Sequence, residues 1–290
     1  MNHIKNYPEP SLFIECEADV GESPIIDAKR NVFSWVDLTR GHIYEKDLAT
    51  RSSHYSEIGL MLGAIAPREI LNGYALATQE GFGYWDGAEL EIVDRCNTNP
   101  NLRMNDAKCD SMGRLWAGST HKEFVPGMGK LHKWDGESPS TIEATNFILP
   151  NGIGWSPDDK TMYLADSFAK KIYSTSFNAE TGSVGEFREF ISVEEGLPDG
   201  IAVDCEGCIW LAVWGSWVVN RYNPNGELIG AISMPIAQPS SCAIGAEGNI
   251  YITSARTGIS AEELRSQPHA GSVFLLEGDI PGLEIAPFRR

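Results

Sequence analysis

Basic side chains are in short supply. The 290 residues carry 23 Lys and Arg against 40 Asp and Glu, a net charge of −17. Nucleic acid and anionic membrane both call for a basic surface, so neither is expected as a partner. Long apolar runs are missing as well. No stretch of about 18 apolar residues is present to span a bilayer. The opening MNHIKNYPEPSLF lacks the apolar core of a secretory signal. The six cysteines are too irregularly spaced for a disulfide framework, which agrees with a reducing, cytoplasmic location. Cys205 and Cys208 form a CxxC, but no second CxxC or CxxH completes a tetrahedral zinc set. The pair also sits in a turn that reads DSMG and AEG elsewhere in the chain. HExxH, GxSxG and GxxxxGK[ST] are all absent, which removes the zincin, nucleophile-elbow and P-loop chemistries. Helix signals are scarce too. The best is SAEELRS, Ser260 to Ser266, with Ser260 as a cap and Glu263 three residues on.

What is present is repetition. IIDAKRNVFSWVD, REILNGYALAT, CDSMGRLWAGS, WSPDDKTMYLADS, VDCEGCIWLAVW and IGAEGNIYITSA each read as strand, polar turn, strand. Aligned on the bulky residue of the second strand, the anchors are Phe33, Leu76, Trp116, Tyr163, Trp210 and Tyr251. Their gaps are 43, 40, 47, 47 and 41 residues. A period near forty with about four short strands per unit marks a propeller blade. One blade cannot bury both faces of its sheet, so blades must close into a ring. The prediction is an all-β, six-bladed β-propeller with four-stranded antiparallel blades. It forms a single domain over residues 11–290, preceded by a loose tail at 1–10. Ser11 to Ala18 and the run from Gly271 to Leu275 both look like strands. Sharing them in one blade would close the ring and remove free edges.

Eleven or twelve residues before the anchors stand Glu22, Ile65, Asn105, Asn151, Asp199 and Ser240. First strands of blades line the central channel, so equivalent positions form a ring at one depth. Four of the six carry carboxylate or amide oxygens, which suit a hard divalent cation. Asn and Asp also make turns, but turn residues have no reason to recur in phase with the repeat. Gly21, Pro150, Gly152, Pro198 and Gly200 flank these positions, as expected where chain is held in unusual conformations.

Arg103 stands close to Asn105 in NLRMNDAKCD. Arg offers a rigid donor fork and Asn a donor and an acceptor, a match for a ligand rich in hydroxyls or carbonyls. Asp106 has an alternative use as a structural partner of Arg103. Glu123 begins EFVPGMGK, a loop with the composition to overhang the channel; a solvated rim charge is the plain alternative. Asp166 is a candidate to point back to the axis. Trp214 and Trp217 either wall a pocket or pack the sheet.

Taken together, GESP, RMNDAKCDSMGRLWAGS, PNGIGWSPDDKTMYLADS, LPDGIAVDCEGCIWLAVW and QPSSCAIGAEGNIYITSA resemble the gluconolactonase, regucalcin (senescence marker protein) and sugar lactonase family. The resemblance implies a six-bladed propeller with one catalytic divalent cation. Its ligands would be Glu22, Asn151 and Asp199, matching G-E-G-P, P-N-G and P-D-G. The cation would be calcium first, with zinc, manganese or magnesium as alternatives. Arg103 and Asn105 match the substrate residues of R-x-N-D-G, and Glu123 matches a rim glutamate. The implied reaction is hydrolysis of an aldono-1,4- or 1,5-lactone to the aldonic acid. Asp199 would serve as both ligand and general base, and the partner would be a small sugar lactone met by a monomer or small homo-oligomer. A non-catalytic calcium-binding protein and a phosphotriesterase-like hydrolase on the same fold remain the rival expectations. Two departures stand out: Ser23 replaces the second Gly of G-E-G-P, and Ala107 replaces the Gly after R-x-N-D. Neither removes a ligand side chain.

Overall fold

The computed structural model describes residues 4–290. All six anchors are buried in second strands, each paired antiparallel with the first strand of its own blade. Blade one runs Gly21–Asp27, Val32–Asp37, His42–Asp47 and Ser53–Glu57. Blades two to five begin with Leu62–Pro67, Leu102–Cys109, Pro150–Trp155 and Leu197–Val203. Blade six has Pro239–Ile244, Ile250–Ser254 and Val273–Leu276, and its outer strand is the N-terminal Ser11–Ile14. The two ends of the chain therefore share a blade, as expected from the strand signals. First strands pack on one another from blade one round to blade six and back to blade one.

The core lies between blades rather than within one central volume. Six apolar clusters fill the six interfaces. This is why second strands such as Ile209–Trp214 read IWLAVW: both faces of the sheet are covered, so the usual polar alternation is lost. Two of the turns leading into second strands use the same lock. Asp110 Oδ1 accepts from the Met112 and Arg114 amides while its Oδ2 accepts from Trp116 Nε1 at 2.8 Å. Asp204 does the same with the Glu206 and Cys208 amides and with Trp210 Nε1 at 2.9 Å. The CxxC is thus the frame of a turn, and both its cysteines are free thiols.

Three features correct or extend the sequence reading. Within the stretch expected to be a tail, Lys5–Tyr7 forms a fifth strand on blade five, parallel to Leu228–Ser233; residues 1–3 lie outside the described residues. The helix expected at Ser260 to Ser266 shrinks to one 3-10 turn, Glu263–Arg265. Its reciprocal Ser260–Glu263 hydrogen bonds are nonetheless made. Finally, the chain after blade six crosses the face formed by the first-to-second-strand turns. Cys205 N donates to Pro281 O at 2.9 Å, Phe288 N to Pro67 O at 2.7 Å, and Arg289 N to Gly113 O at 3.1 Å. Phe288 is fully buried and stacks on Trp134 at 4.9 Å, so this strap ties blade five to blades two and three.

Candidate metal centre

Every first strand carries one residue more than its partner strand at the same end of the channel. The extra residue falls between Glu22 and Ile25, Leu62 and Ala64, Met104 and Ala107, Asn151 and Ile153, Pro198 and Ile201, and Pro239 and Ser241. A β-bulge re-aims side chains that regular alternation would send to the sheet faces. Ring positions repeat because bulges repeat. Ile65 is the exception to the expected ring: it lies directly opposite its anchor Leu76, beyond the bulge. The first-to-second-strand turn of blade two is longer than in the other blades, so counting back from Leu76 lands too far along the strand. Ser240 is on the ring, but its hydroxyl donates to Gly21 O and serves as a structural tie to blade one.

Ser23 adopts φ +50°, a region where Gly is at ease and Ser is strained. Its hydroxyl is engaged with blade two, accepting from Ile65 N at 3.2 Å and donating to Ile65 O at 3.4 Å. Ala107 shows no positive φ and pairs normally with Ala117, so the second departure from the family pattern carries no backbone cost.

Glu22, Asn151 and Asp199 are buried and come together where their blades meet the axis. Asn151 Nδ2 donates to Asp199 Oδ1 and, at 3.2 Å, to Ser167 Oγ. This fixes the amide with its oxygen turned away from both. Glu22 Oε2 and Asn151 Oδ1 are buried and have no hydrogen-bond partner among the described residues. Burial, then Asp199, then Asp106 push the Glu22 carboxyl well above the usual range. Burial and Asp106 do the same to Asp199. Orphaned oxygens among crowded carboxylates are costly in a dry site unless a cation joins them. The donors are all hard, with carboxylate and amide oxygens and no sulfur or imidazole, so they fit a divalent cation of the calcium or magnesium kind.

The sugar-type polar groups divide into two sets. Arg103 and Asn105 are buried together, with Arg103 Nη1 donating to Asn105 Oδ1 at 2.6 Å and to Met104 O at 3.1 Å. Asn105 Nδ2 donates to Pro150 O at 3.1 Å, which ties it to the residue before Asn151. Burial pushes the Arg103 guanidinium down to about 10, opposed by Glu22 and Asp199. Glu123 stands apart, exposed on the loop that follows the second strand of blade three. That loop is at the bulge end of the channel, because Leu102 pairs with His121. The Asp106–Arg103 ion pair is not formed among the described residues. Asp106 instead accepts from Ala107 N at 2.9 Å, and the charge of Lys108 offsets part of its burial.

Lys108 and Ser167 were not picked out from the sequence. Lys108 Nζ reaches from blade three to Ile201 O of blade five at 2.8 Å, beneath the carboxylates. The in-phase NDAK run was its only signal. Asp166 does not reach the axis: its carboxylate accepts from the Ile148 and Leu149 amides at 2.8 and 3.0 Å and brackets the incoming chain. Trp217 is exposed on the turn after blade five's second strand. A second acidic group, Asp204, Glu206 and Cys208, already has its cation, because Arg221 Nη2 lies 2.6 Å from both Asp204 and Glu206 carboxylates.

Comparison with known proteins bears on the fold and the family. A family model described as the SMP-30/Gluconolactonase/LRE-like region matches residues 20–256. Regucalcin of Danio rerio is 30% identical over 281 residues, covering 92% of this chain and 95% of its own. A 6-deoxy-6-sulfogluconolactonase of Pseudomonas putida is 31% identical over 272 residues, covering 91% and 92%. Among solved structures, the calcium-binding protein regucalcin from Agrobacterium tumefaciens superposes with a TM-score of 0.93 at 25% identity, over 99% of this chain and 100% of that one.

Proposed function

The chain belongs to the SMP-30/gluconolactonase/LRE-like family, and we propose that it is a metal-dependent lactonase opening a sugar lactone to its acid. The observation that carries the metal half of this reading is the pair of orphaned oxygens, Glu22 Oε2 and Asn151 Oδ1, beside the buried Asp199. Glu22, Asn151 and Asp199 would hold one divalent cation of the calcium or magnesium kind, which the hardness of the donors suits. When bound, such an ion polarises a lactone carbonyl and offsets the charge that gathers on its oxygen.

The protein's own groups have distinct tasks. Asp199 takes the proton of the attacking water as general base, and its contact with Asn151 Nδ2 fixes which oxygen is free to do so. Arg103 and Asn105, locked to each other, present donors and acceptors to ring hydroxyls at no further ordering cost. Glu123 accepts hydroxyl hydrogen bonds from the rim. A sugar lactonase among its relatives supports the substrate class.

The test is acid release from a panel of aldonolactones, read with a pH indicator on chelated protein before and after adding calcium, magnesium, manganese or zinc. Metal-dependent release is expected, and Asp199→Asn should lose about 10²-fold or more in kcat while still binding metal. Metal binding without release from any lactone would assign the calcium-binding reading instead.

A further inference from the structure

The loop that carries Glu123, residues 122–128, is held to its own blade by hydrogen bonds. Lys122 N donates to Asn101 O at 2.8 Å, Phe124 N to His121 O at 2.8 Å, and Glu123 N to His121 Nδ1 at 3.1 Å. Beyond Phe124 the support thins out. Val125 is exposed, and a Cβ placed on Gly127 would meet nothing within 4 Å. An aromatic contact reaches beyond the blade. The Phe124 ring packs on Phe168 of blade four, with centroids 4.7 Å apart and planes 36° to each other.

Both partners are anomalous by themselves. Phe124 has φ +54°, a left-handed conformation that a bulky residue keeps only when its surroundings enforce it. Phe168 is 42% exposed, so it contributes little to the core. Each follows a residue of the candidate centre. Phe124 follows Glu123, and Phe168 follows Ser167, whose hydroxyl accepts from Asn151 Nδ2 at 3.2 Å. The ring pair therefore joins the loop bearing the rim carboxylate to the turn that steadies a candidate metal ligand.

We propose that Phe124 and Phe168 form a latch between blades three and four, making Phe168 a positioning residue that holds Glu123 in register with the lactone. This rests on the lactonase reading above, in which Glu123 touches substrate. The latch acts through loop order and leaves the metal donors untouched, so its loss should appear in KM and not in kcat. A tilted ring pair of this kind is worth about tenfold in an equilibrium at most.

The experiment uses the full chain with its metal, comparing wild type, Phe168→Ala, Phe168→Tyr, Glu123→Gln and the Phe168→Ala/Glu123→Gln double variant. Hydrogen–deuterium exchange over residues 122–128 reads the latch directly. Phe168→Ala is expected to raise exchange there about tenfold, with Phe168→Tyr near wild type. On the best aldonolactone, Phe168→Ala should raise KM about three- to tenfold with kcat within about twofold. The double variant should be no worse than Glu123→Gln alone, because both remove the same contact. Unchanged exchange in Phe168→Ala overturns the latch even if the enzyme is an active lactonase. Faster exchange with additive losses in the double variant overturns the link to Glu123. A wild-type protein that opens no lactone overturns the parent reading, and exchange then decides the latch alone.

Discussion

Replacing Glu22 by Gln should leave the metal-free protein at least as stable and remove most of its stabilisation by metal. Around the axis lie three buried carboxylates, Glu22, Asp106 and Asp199, with Arg103 and Lys108 as the cations beside them. With all five groups ionised, one negative charge is in excess. In the absence of metal, Glu22→Gln balances the cluster at almost constant volume, so a gain of about 1–2 kcal/mol is expected. With metal the sign reverses. Saturation at about 100 times Kd stabilises a fold by about 2.7 kcal/mol. For 290 residues the unfolding entropy is about 0.6 kcal/mol/K, so wild type should gain about 4 °C in Tm. If loss of the carboxylate weakens binding about 100-fold, the same metal concentration contributes only about 0.4 kcal/mol, under about 1 °C.

The assay is thermal unfolding of both proteins in chelator and in a calcium titration, followed by tryptophan fluorescence. Two results would refute the reasoning. One is a chelated Glu22→Gln protein less stable than chelated wild type by more than about 1 kcal/mol, which would mean that the carboxylate is satisfied without metal. The other is an undiminished calcium shift, which would remove Glu22 from the ligand set.

Further expectations follow from neighbouring features. Glu22 and Asp199 are raised in the folded, metal-free chain, so they add stability at acid pH that is lost as pH rises through their folded values. His132, pushed down to about 4 by burial, works the other way but is spent above about pH 6.5. Chelated protein should therefore lose Tm as pH rises above about 6.5, and saturating calcium should flatten that slope; a rise in Tm with pH there counts against the raised carboxylates. Ser23→Ala keeps the strained φ and drops both bonds to Ile65, so it should cost about 1–2 kcal/mol, whereas Ser23→Gly relieves the strain and should stay within about 1 kcal/mol of wild type. Denaturant melts showing Gly below Ala would reverse the argument. Phe288→Ala empties a fully buried aromatic site under the strap and should cost about 3–5 kcal/mol by urea unfolding; a loss below about 1 kcal/mol would show the strap to be peripheral.

Which parts of this molecule could be read in advance follows from the scale of the signal. The blades were legible because each repeats the same strand, turn and anchor, and a sixfold repeat survives local variation. Ring closure was legible because two unpaired strand signals, at Ser11 and near Gly271, had to find each other. Ile65 was misplaced because periodicity counts residues, and one longer turn in blade two shifts the count without changing the fold. The Lys5–Tyr7 strand and the 279–290 strap were illegible for a different reason. Each is a single short segment without a periodic partner, and it is held by backbone hydrogen bonds, joined in the strap by the buried Phe288, to chain far away in sequence.

At the candidate site, the expected residues that lie buried around the axis, Glu22, Asn105, Asn151 and Asp199, are ones repeated in phase with the blades. Those missed or misjudged, Lys108, Ser167 and Asp166, act through tertiary geometry that no spacing encodes. Glu22 shows how the two levels combine. Regular pairing with Val36 carries the strand up to it, and the turn to φ +50° at Ser23 breaks that regularity one residue later. A strand that continued in register would keep strict alternation between sheet faces. The strained serine and the orphaned carboxylate oxygen are therefore two halves of one arrangement. Backbone strain sets the Glu22 carboxylate among like charges, and a divalent cation held there would give that placement a thermodynamic return.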